Sequence, residues 1–369
     1  MSEWFIDGQL VEVGITRMSA EDWFQQKGPR GGIFWRNRRS GDVRYQKDNP
    51  GGASKSVAPS SESDGYASQS VSRVAKKPMQ PKISEAERAA AAEADKAISQ
   101  PSNNEEWLMF SDAVVEHPYY KRVASLLSEA ESQTKSGDVR MWSKERFSEN
   151  GKYTTERAAL HERIIDSMLN KNAKAKPGQK PQVMFIIGPP GAGKTSVGQP
   201  ITNGIGVEFT TINADDVKSA LPEYAGWNAA LLHEESSDIA EGALLGRALA
   251  ENHNILFDLT GASEKKMMKL ADEMAARGYD LHLVNVSIPS SKSSYRAWMR
   301  FRGNAFGTKD PSKEPGRFVP PSYVHIGVDG NPDRTYERMK NHPAMKSWSM
   351  HNNDVPMGEK AILVDKGSR

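Results

Sequence analysis

The chain contains no cysteine. Disulfides and thiolate catalysis are therefore excluded, and the composition is compatible with a reducing compartment. No apolar run approaches the roughly 20 residues needed to span a bilayer, so no membrane partner is expected. Charge of one sign is also missing. Lys plus Arg is 49 and Asp plus Glu is 47, a balance that gives no global signature of nucleic-acid or membrane binding. The first residues, MSEWFIDGQLVEVG, carry acids and lack a basic start followed by an apolar stretch. No signal peptide is read there, and a cytoplasmic location is expected.

What is present divides the 369 residues into four parts. Residues 1–48 have β character. Apolar runs at 4–6 and 10–13 flank Asp7-Gly8, a pair that favours a hairpin turn, and runs at 31–36 and 43–45 flank a second turn at 39–42. Arg30, Arg36, Arg38, Arg39 and Arg44 make the second hairpin basic. They form either a solvated strand face or a small docking module for a partner. Residues 49–82 are rich in Ser, Gly, Pro and Lys and poor in large apolar side chains, so they read as a flexible linker. Residues 83–150 are helical. Ser84 and Glu87 have capping-box spacing before a helix that is polar nearly all round and so expected to be solvated, and a second helix is expected over 104–131.

Residues 151–369 read as the catalytic domain. A helix over 155–169 leads in. From Gln182 onward, strands at 183–187, 208–212, 255–258 and 281–287 alternate with helices at 215–221, 232–250, 264–277 and 290–302. This alternation predicts an α/β fold with a mostly parallel sheet and helices on both faces. Residues 303–320 read as a long mobile loop, and 361–364 as a late edge strand.

One motif carries chemistry on its own. Gly188-Pro189-Pro190-Gly191-Ala192-Gly193-Lys194-Thr195 matches G-x-x-x-x-G-K-[ST] and lies between a strand and a helix, as a P-loop does. Its glycines let backbone N–H groups turn toward phosphate oxygens, and the following helix points its positive end at the same anion. These residues and Ser196 are therefore assigned to a nucleoside triphosphate, ATP or GTP, with Lys194 on the β and γ phosphates and Thr195 on Mg²⁺.

Phosphoryl transfer also needs a base and cations. Asp215 and Asp216 follow the second strand, where groups at carboxyl ends line the crevice of an open parallel sheet. One of them is read as the acting carboxylate, with Asp215 favoured, and the other as a helix cap. Asp258 ends the third strand, either as a Mg²⁺-holding acid or as part of a turn with Gly261, and Thr260 beside it can hydrogen-bond a substrate. Arg296, Arg300, Arg302 and Arg317 are cations that either close over the γ-phosphate or form a solvated basic face.

Taken in order, GPPGAGKT at 188–195, INADDVK at 212–218, DLTG at 258–261 and the arginines ending in GRFVPPS at 316–322 resemble the zeta toxins, P-loop kinases of bacterial toxin–antitoxin systems. GKYTTERAALH at 151–161 resembles a lead-in found in some members. The resemblance covers about 151–328 and leaves residues 1–100 unexplained. It implies phosphorylation of the 3′-hydroxyl of UDP-N-acetylglucosamine by ATP or GTP, and a small antitoxin as protein partner. Carried over by position, it implies Lys194 and Thr195 at the phosphates and Mg²⁺, Asp215 as base, Glu241 and Thr260 at the acceptor, and Arg300 and Arg317 at the transferred phosphate. Ala262 stands where an arginine is expected two positions after the threonine. KGPRGGIFW at 27–35 is similar to short pieces of phage structural proteins. That implies a phage- or prophage-borne effector acting in the host cytoplasm or associated with a virion. Two other readings stay open at this level: a kinase of nucleic-acid ends or another metabolite, and a nucleotide-binding structural component without turnover.

Overall fold

The computed structural model describes residues 80–369, apart from Pro311, Asp329 and Met357, together with the backbone of five strands before residue 46. Those strands are β1 (Ser2–Ile6), β2 (Gln9–Val13), β3 (Trp23–Lys27), β4 (Ile33–Asn37) and β5 (Val43–Tyr45), in that order across one sheet. The hairpin expected around 39–42 is the antiparallel pair β4–β5, with Phe34 opposite Tyr45. β3 was not anticipated: its Trp-Phe-Gln-Gln-Lys has no period-two alternation, yet it pairs antiparallel along all of β4. The Asp7-Gly8 turn, the side chains of the 1–48 module and the linker as far as residue 79 lie outside the described residues.

The rest belongs to one compact unit. Helix α1 (Glu85–Ala94) opens on the expected capping box: Ser84 Oγ accepts from the Glu87 N–H at 3.1 Å, and the Glu87 carboxylate accepts from the Ser84 N–H at 2.8 Å. The helix expected over 104–131 is two helices, α2 (Asn104–Glu116) and α3 (Pro118–Ser132). Pro118 cannot extend a helical ladder but suits a first turn. His117 caps that turn, its Nδ1 accepting from the Tyr119 N–H at 3.1 Å. Helix α4 (Trp142–Arg146), a short hairpin of β6 (Ser148–Glu149) and β7 (Lys152–Tyr153), and α5 (Thr155–Met168) follow.

Six strands make the main sheet: β8 (Gln182–Ile187), β9 (Thr210–Ile212), β10 (Ile255–Leu259), β11 (Asp280–Ser287), β12 (Met345–Asn352) and β13 (Ile362–Ser368). Their order is β13-β12-β11-β8-β10-β9, with every pairing parallel except β12–β13. The intervening helices are α6 (Lys194–Gly204), α7 (Ala214–Ala220), α8 (His233–Ser237), α9 (Leu245–Ala250), α10 (Glu264–Ala276), α11 (Ser290–Gly303) and α12 (Asn331–Met339). The α/β architecture is thus the one the sequence predicts.

β8 shows why the core divides in two. Successive side chains point to opposite faces of a strand. Val183, Phe185 and Ile187 enter a large cluster with α5, α10 and the 233–250 helix, and Phe185 stacks on Phe257 at 5.3 Å. Met184 and Ile186 enter a second cluster with Val197 and Ile201 of α6. A strand apolar on both faces must be covered on both. The helix expected over 232–250 is interrupted by a π-helical stretch, Asp238–Leu244, which carries Glu241. β12 was not expected, because Met345–Asn352 carries mostly polar residues on a strand that β13 flanks as an edge. No helix among the described residues is long and apolar enough to cross a membrane.

The lead-in segment has a structural use. Arg157 of α5 is buried and donates to Glu223 at 2.8 and 2.9 Å and to Glu235 of α8 at 2.9 Å, while His161 Nε2 lies 2.7 Å from the same Glu235. The guanidinium sits 3.8 Å from the Phe147 ring centroid. Burial pushes the Glu235 carboxyl up, but the hydrogen bonds from His161 and Arg157 outweigh it and hold it at about 2.

Candidate active site

The parallel register sets the site. Asp258 pairs beside Ile186, and Phe257 beside Ile212, so the ends of β8, β9 and β10 bring the phosphate loop, Asn213–Asp216 and Asp258–Gly261 to one edge. This is where an open α/β sheet binds ligands.

Gly191 (φ 81°) and Gly193 (φ 85°) hold left-handed conformations that side chains rarely adopt, and they curl the loop. Two carbonyls on its outer side are tied down. Asn353 Nδ2 donates to Ala192 O at 2.7 Å, and Ser293 Oγ donates to Pro190 O at 2.5 Å. Those two bonds fix the loop's backbone, and the Ala192 N–H is itself engaged, donating to Pro189 O at 3.1 Å. No side chain caps α6 at Gly193, so its first N–H groups are available to an anion. Asn353 escaped the sequence reading because it follows β12, the strand that reading omits.

Lys194 donates from Nζ to Gly188 O at 3.0 Å and lies 3.5 Å from Asp258 Oδ1. Burial lowers its pKa, Asp258 opposes that, and the charges of Arg317 and Arg300 add to the lowering. Lys194, Asp258 and the two arginines therefore share one electrostatic neighbourhood. A cavity of about 790 Å³ opens here, walled by Lys194, Thr195, Asp216 and Asp258 and running along α6 past Gln199 and Asn203. Enclosure and the charges of Asp258 and Glu314 push the Asp216 carboxyl up. Two carboxylates and the Thr195 hydroxyl facing one cavity form an all-oxygen donor set of the kind a hard cation takes, and a cation would relieve the repulsion between the acids. These residues fit Mg²⁺. Asp216, which the sequence offered as a possible cap, is the additional member.

The cap is neither aspartate. Asn213 Oδ1 accepts from the Asp215 N–H at 2.8 Å and closes the start of α7. Asp215 is left to make ion pairs, with Arg317 and with Lys218, whose Nζ lies 3.1 Å from Asp215 Oδ1. Burial pulls the Arg317 guanidinium down to about 10, and its Nε is buried without a hydrogen-bond partner. Arg300 has an exposed side chain but is enclosed enough that burial lowers its pKa, with Tyr224 and Asp258 acting the other way.

The loop that carries Arg317 is not loose. Asn304 Nδ2 donates to the carbonyls of Asp310 and Glu314 at 3.0 Å, and Asn304 Oδ1 accepts from the Asp310 N–H at 3.0 Å. The other two arginines are used elsewhere: Arg296 donates to Val355 O at 3.2 Å, and Arg302 pairs with Asp95. Of the residues the sequence assigns to the site, Asp215, Glu241, Thr260, Arg300 and Arg317 are not in the cavity wall. Glu241 accepts two hydrogen bonds from Lys266, at 3.0 and 2.8 Å, and Thr260 Oγ1 accepts from the Ala262 N–H at 3.4 Å. Pro189 and Ser196 stay within the loop and the first turn of α6.

Burial pulls the Lys218 ammonium down to about 8. Above that pH, Asp215 loses a charged donor. Turnover is expected to fall as pH rises through about 8, and Lys218→Met should remove that alkaline limb. A kcat–pH profile with the same limb in both proteins would exclude Lys218 as its source.

A P-loop on a parallel sheet of this order, with Asp258 beside its lysine and Asp215 paired with Arg317, defines a P-loop kinase-type phosphotransferase fold. Residues 165–349 match the family model described as Zeta toxin, half of the chain, and the protein belongs to the zeta toxin family. No curated protein matches it. Among solved structures, the chain is similar to one from the PezAT chromosomal toxin–antitoxin system of Streptococcus pneumoniae, at 16% identity over 58% of this chain and 82% of that one, with a TM-score of 0.43. It is also similar to a chain of the AvrRxo1-ORF1:-ORF2 structure with ATP, at 17% identity over 73% of each, with a TM-score of 0.39.

Proposed function

We propose that this protein transfers the terminal phosphoryl group of ATP or GTP to the 3′-hydroxyl of UDP-N-acetylglucosamine. The observation that carries the reading is the contact between Asp215, beyond the carboxyl end of β9, and Arg317. It supports the reading because a carboxylate able to accept a proton and a guanidinium able to bind phosphate meet there.

In this reading Lys194 and the loop amides hold the β and γ phosphates. Thr195, Asp216 and Asp258 would hold Mg²⁺, which when bound offsets phosphate charge. Asp215 takes the acceptor hydroxyl proton as the oxygen–phosphorus bond forms and the bond to the β–γ bridging oxygen breaks, and the nucleoside diphosphate leaves. Arg300 and Arg317 stabilise the charge on the moving group. Glu241 and Thr260 orient the sugar nucleotide, which requires Glu241 to exchange Lys266 for the ligand. A small antitoxin covering the cavity belongs to the same reading.

The test is incubation with γ-labelled ATP or GTP and UDP-N-acetylglucosamine. Label is expected on the sugar nucleotide and not in Lys194→Ala. Label reaching a different metabolite from a cell extract would replace the acceptor. Equal transfer by Lys194→Ala would remove the site assignment.

A further inference from the structure

Helices α1–α3 precede the part of the chain that matches the family. Asp95, directly after α1, and residues of α2 and α3 nonetheless pack on the elements that carry Arg300 and Arg317. Trp107 of α2 stacks on His325 with centroids 3.8 Å apart, and Phe110 meets Tyr295 of α11 edge-on at 5.9 Å. His117 meets the buried Trp298 at 5.1 Å. At the carboxyl end of α11, Arg302 donates from Nε to Asp95 at 3.0 Å, and its guanidinium lies 4.4 Å from the Tyr119 ring centroid. Tyr119 also meets Phe306 at 5.4 Å, and Tyr120 meets Phe318 at 5.8 Å. Arg300 thus lies between braced neighbours at 298 and 302, and Arg317 directly precedes a braced phenylalanine.

Gly316 joins the two. A Cβ there would stand 2.5 Å from Arg300 O and 2.3 Å from Phe301 O, so only glycine lets the loop lie against the helix. Phe318 closes the same contact from the other side, 5.2 Å from Phe301. The backbones of both arginines are set by one packed joint, and α1–α3 hold it from outside.

We infer that α1–α3 are a brace that places Arg300 and Arg317 over the phosphate loop, with Asp95 and Tyr120 as its positioning residues. The inference rests on the transfer role proposed for those arginines. An arginine contributes fully to transition-state stabilisation only when its guanidinium is already in place, because its long side chain otherwise loses rotamer freedom on reaching the phosphate. Loss of the brace therefore acts on the transfer step and spares nucleotide binding, since α1–α3 supply no wall to the cavity.

The experiment compares the full chain with Tyr120→Leu, Asp95→Asn and Tyr120→Phe, reading kcat, KM for the nucleotide, and hydrogen–deuterium exchange. In Tyr120→Leu and Asp95→Asn, kcat is expected to fall about 10- to 100-fold with KM changed by no more than about twofold. Exchange should rise across 300–318 and stay unchanged in β8 and β10. Tyr120→Phe, which keeps the ring, should restore both readouts. In an Arg317→Ala background, Tyr120→Leu should cost less than it does alone. Unchanged exchange across 300–318 overturns the brace, and so does a rise spread over β8 and β10. If Arg317→Ala keeps full turnover, the transfer role fails and the positioning role with it, while exchange still decides separately whether the joint is held.

Discussion

Asp215→Asn is expected to lower phosphoryl transfer by about 10²- to 10⁴-fold, the usual contribution of a general base, and to leave nucleotide affinity unchanged. The two side chains have the same shape, so packing at the start of α7 is preserved. Asn213, not Asp215, supplies the cap, so the variant leaves the helix start intact. Lys194 and the loop amides make no contact with the substituted atoms. What the variant removes is the negative charge that pairs with Arg317 and Lys218 and that would take the hydroxyl proton. Single-turnover transfer and nucleotide binding, measured side by side, check this. Retained transfer would exclude Asp215 as base, and loss of binding with transfer would indicate a role in the nucleotide site instead.

The second large effect is on stability. Glu235→Gln is expected to destabilise the fold by about 3–5 kcal/mol near neutral pH, the cost of breaking a buried charge pair from one side. Glu235 is fully buried, receives two hydrogen bonds from Arg157, and touches His161. Its folded pKa of about 2 lies below the ordinary 4.5. The sign follows: the unfolded chain binds the proton more readily, so the stabilisation is complete above pH 4.5 and is lost as pH falls toward 2. The gap between wild type and variant in urea unfolding should accordingly narrow at about pH 3. A gap of equal size at both pH values would show that the carboxylate charge is not its source. Glu223 still pairs with Arg157 in the variant, which favours the lower end of the range.

The features legible in the sequence were those written in contiguous residues. GPPGAGKT needs only its own backbone and the helix after it, and β8 announces itself by a run apolar on both faces. The Ser84–Glu87 box spans one helical turn and formed as its spacing implies. Asp215 was legible as a strand-end acid, but its separation from the cap was not, because Asn213 competes for the same amides two positions earlier. The arginines show the same limit. Four of them read alike along 296–317, and nothing local distinguishes Arg302, which pairs with an aspartate more than two hundred residues away, from Arg317, which meets Asp215.

By itself, then, the sequence determined the phosphate loop, the alternating α/β order and the class of chemistry, since each depends on neighbours along the chain or on a short repeat. Only the tertiary structure decided that Asn353 and Ser293 hold the Ala192 and Pro190 carbonyls of the loop, that Asp216 joins Thr195 and Asp258 at one cavity, and that helices outside the family match pack on both arginine-bearing elements. Each of these contacts closes a long stretch of chain. Its partner is chosen by which strand ends and helix faces the folded sheet brings together, and no local pattern records that choice.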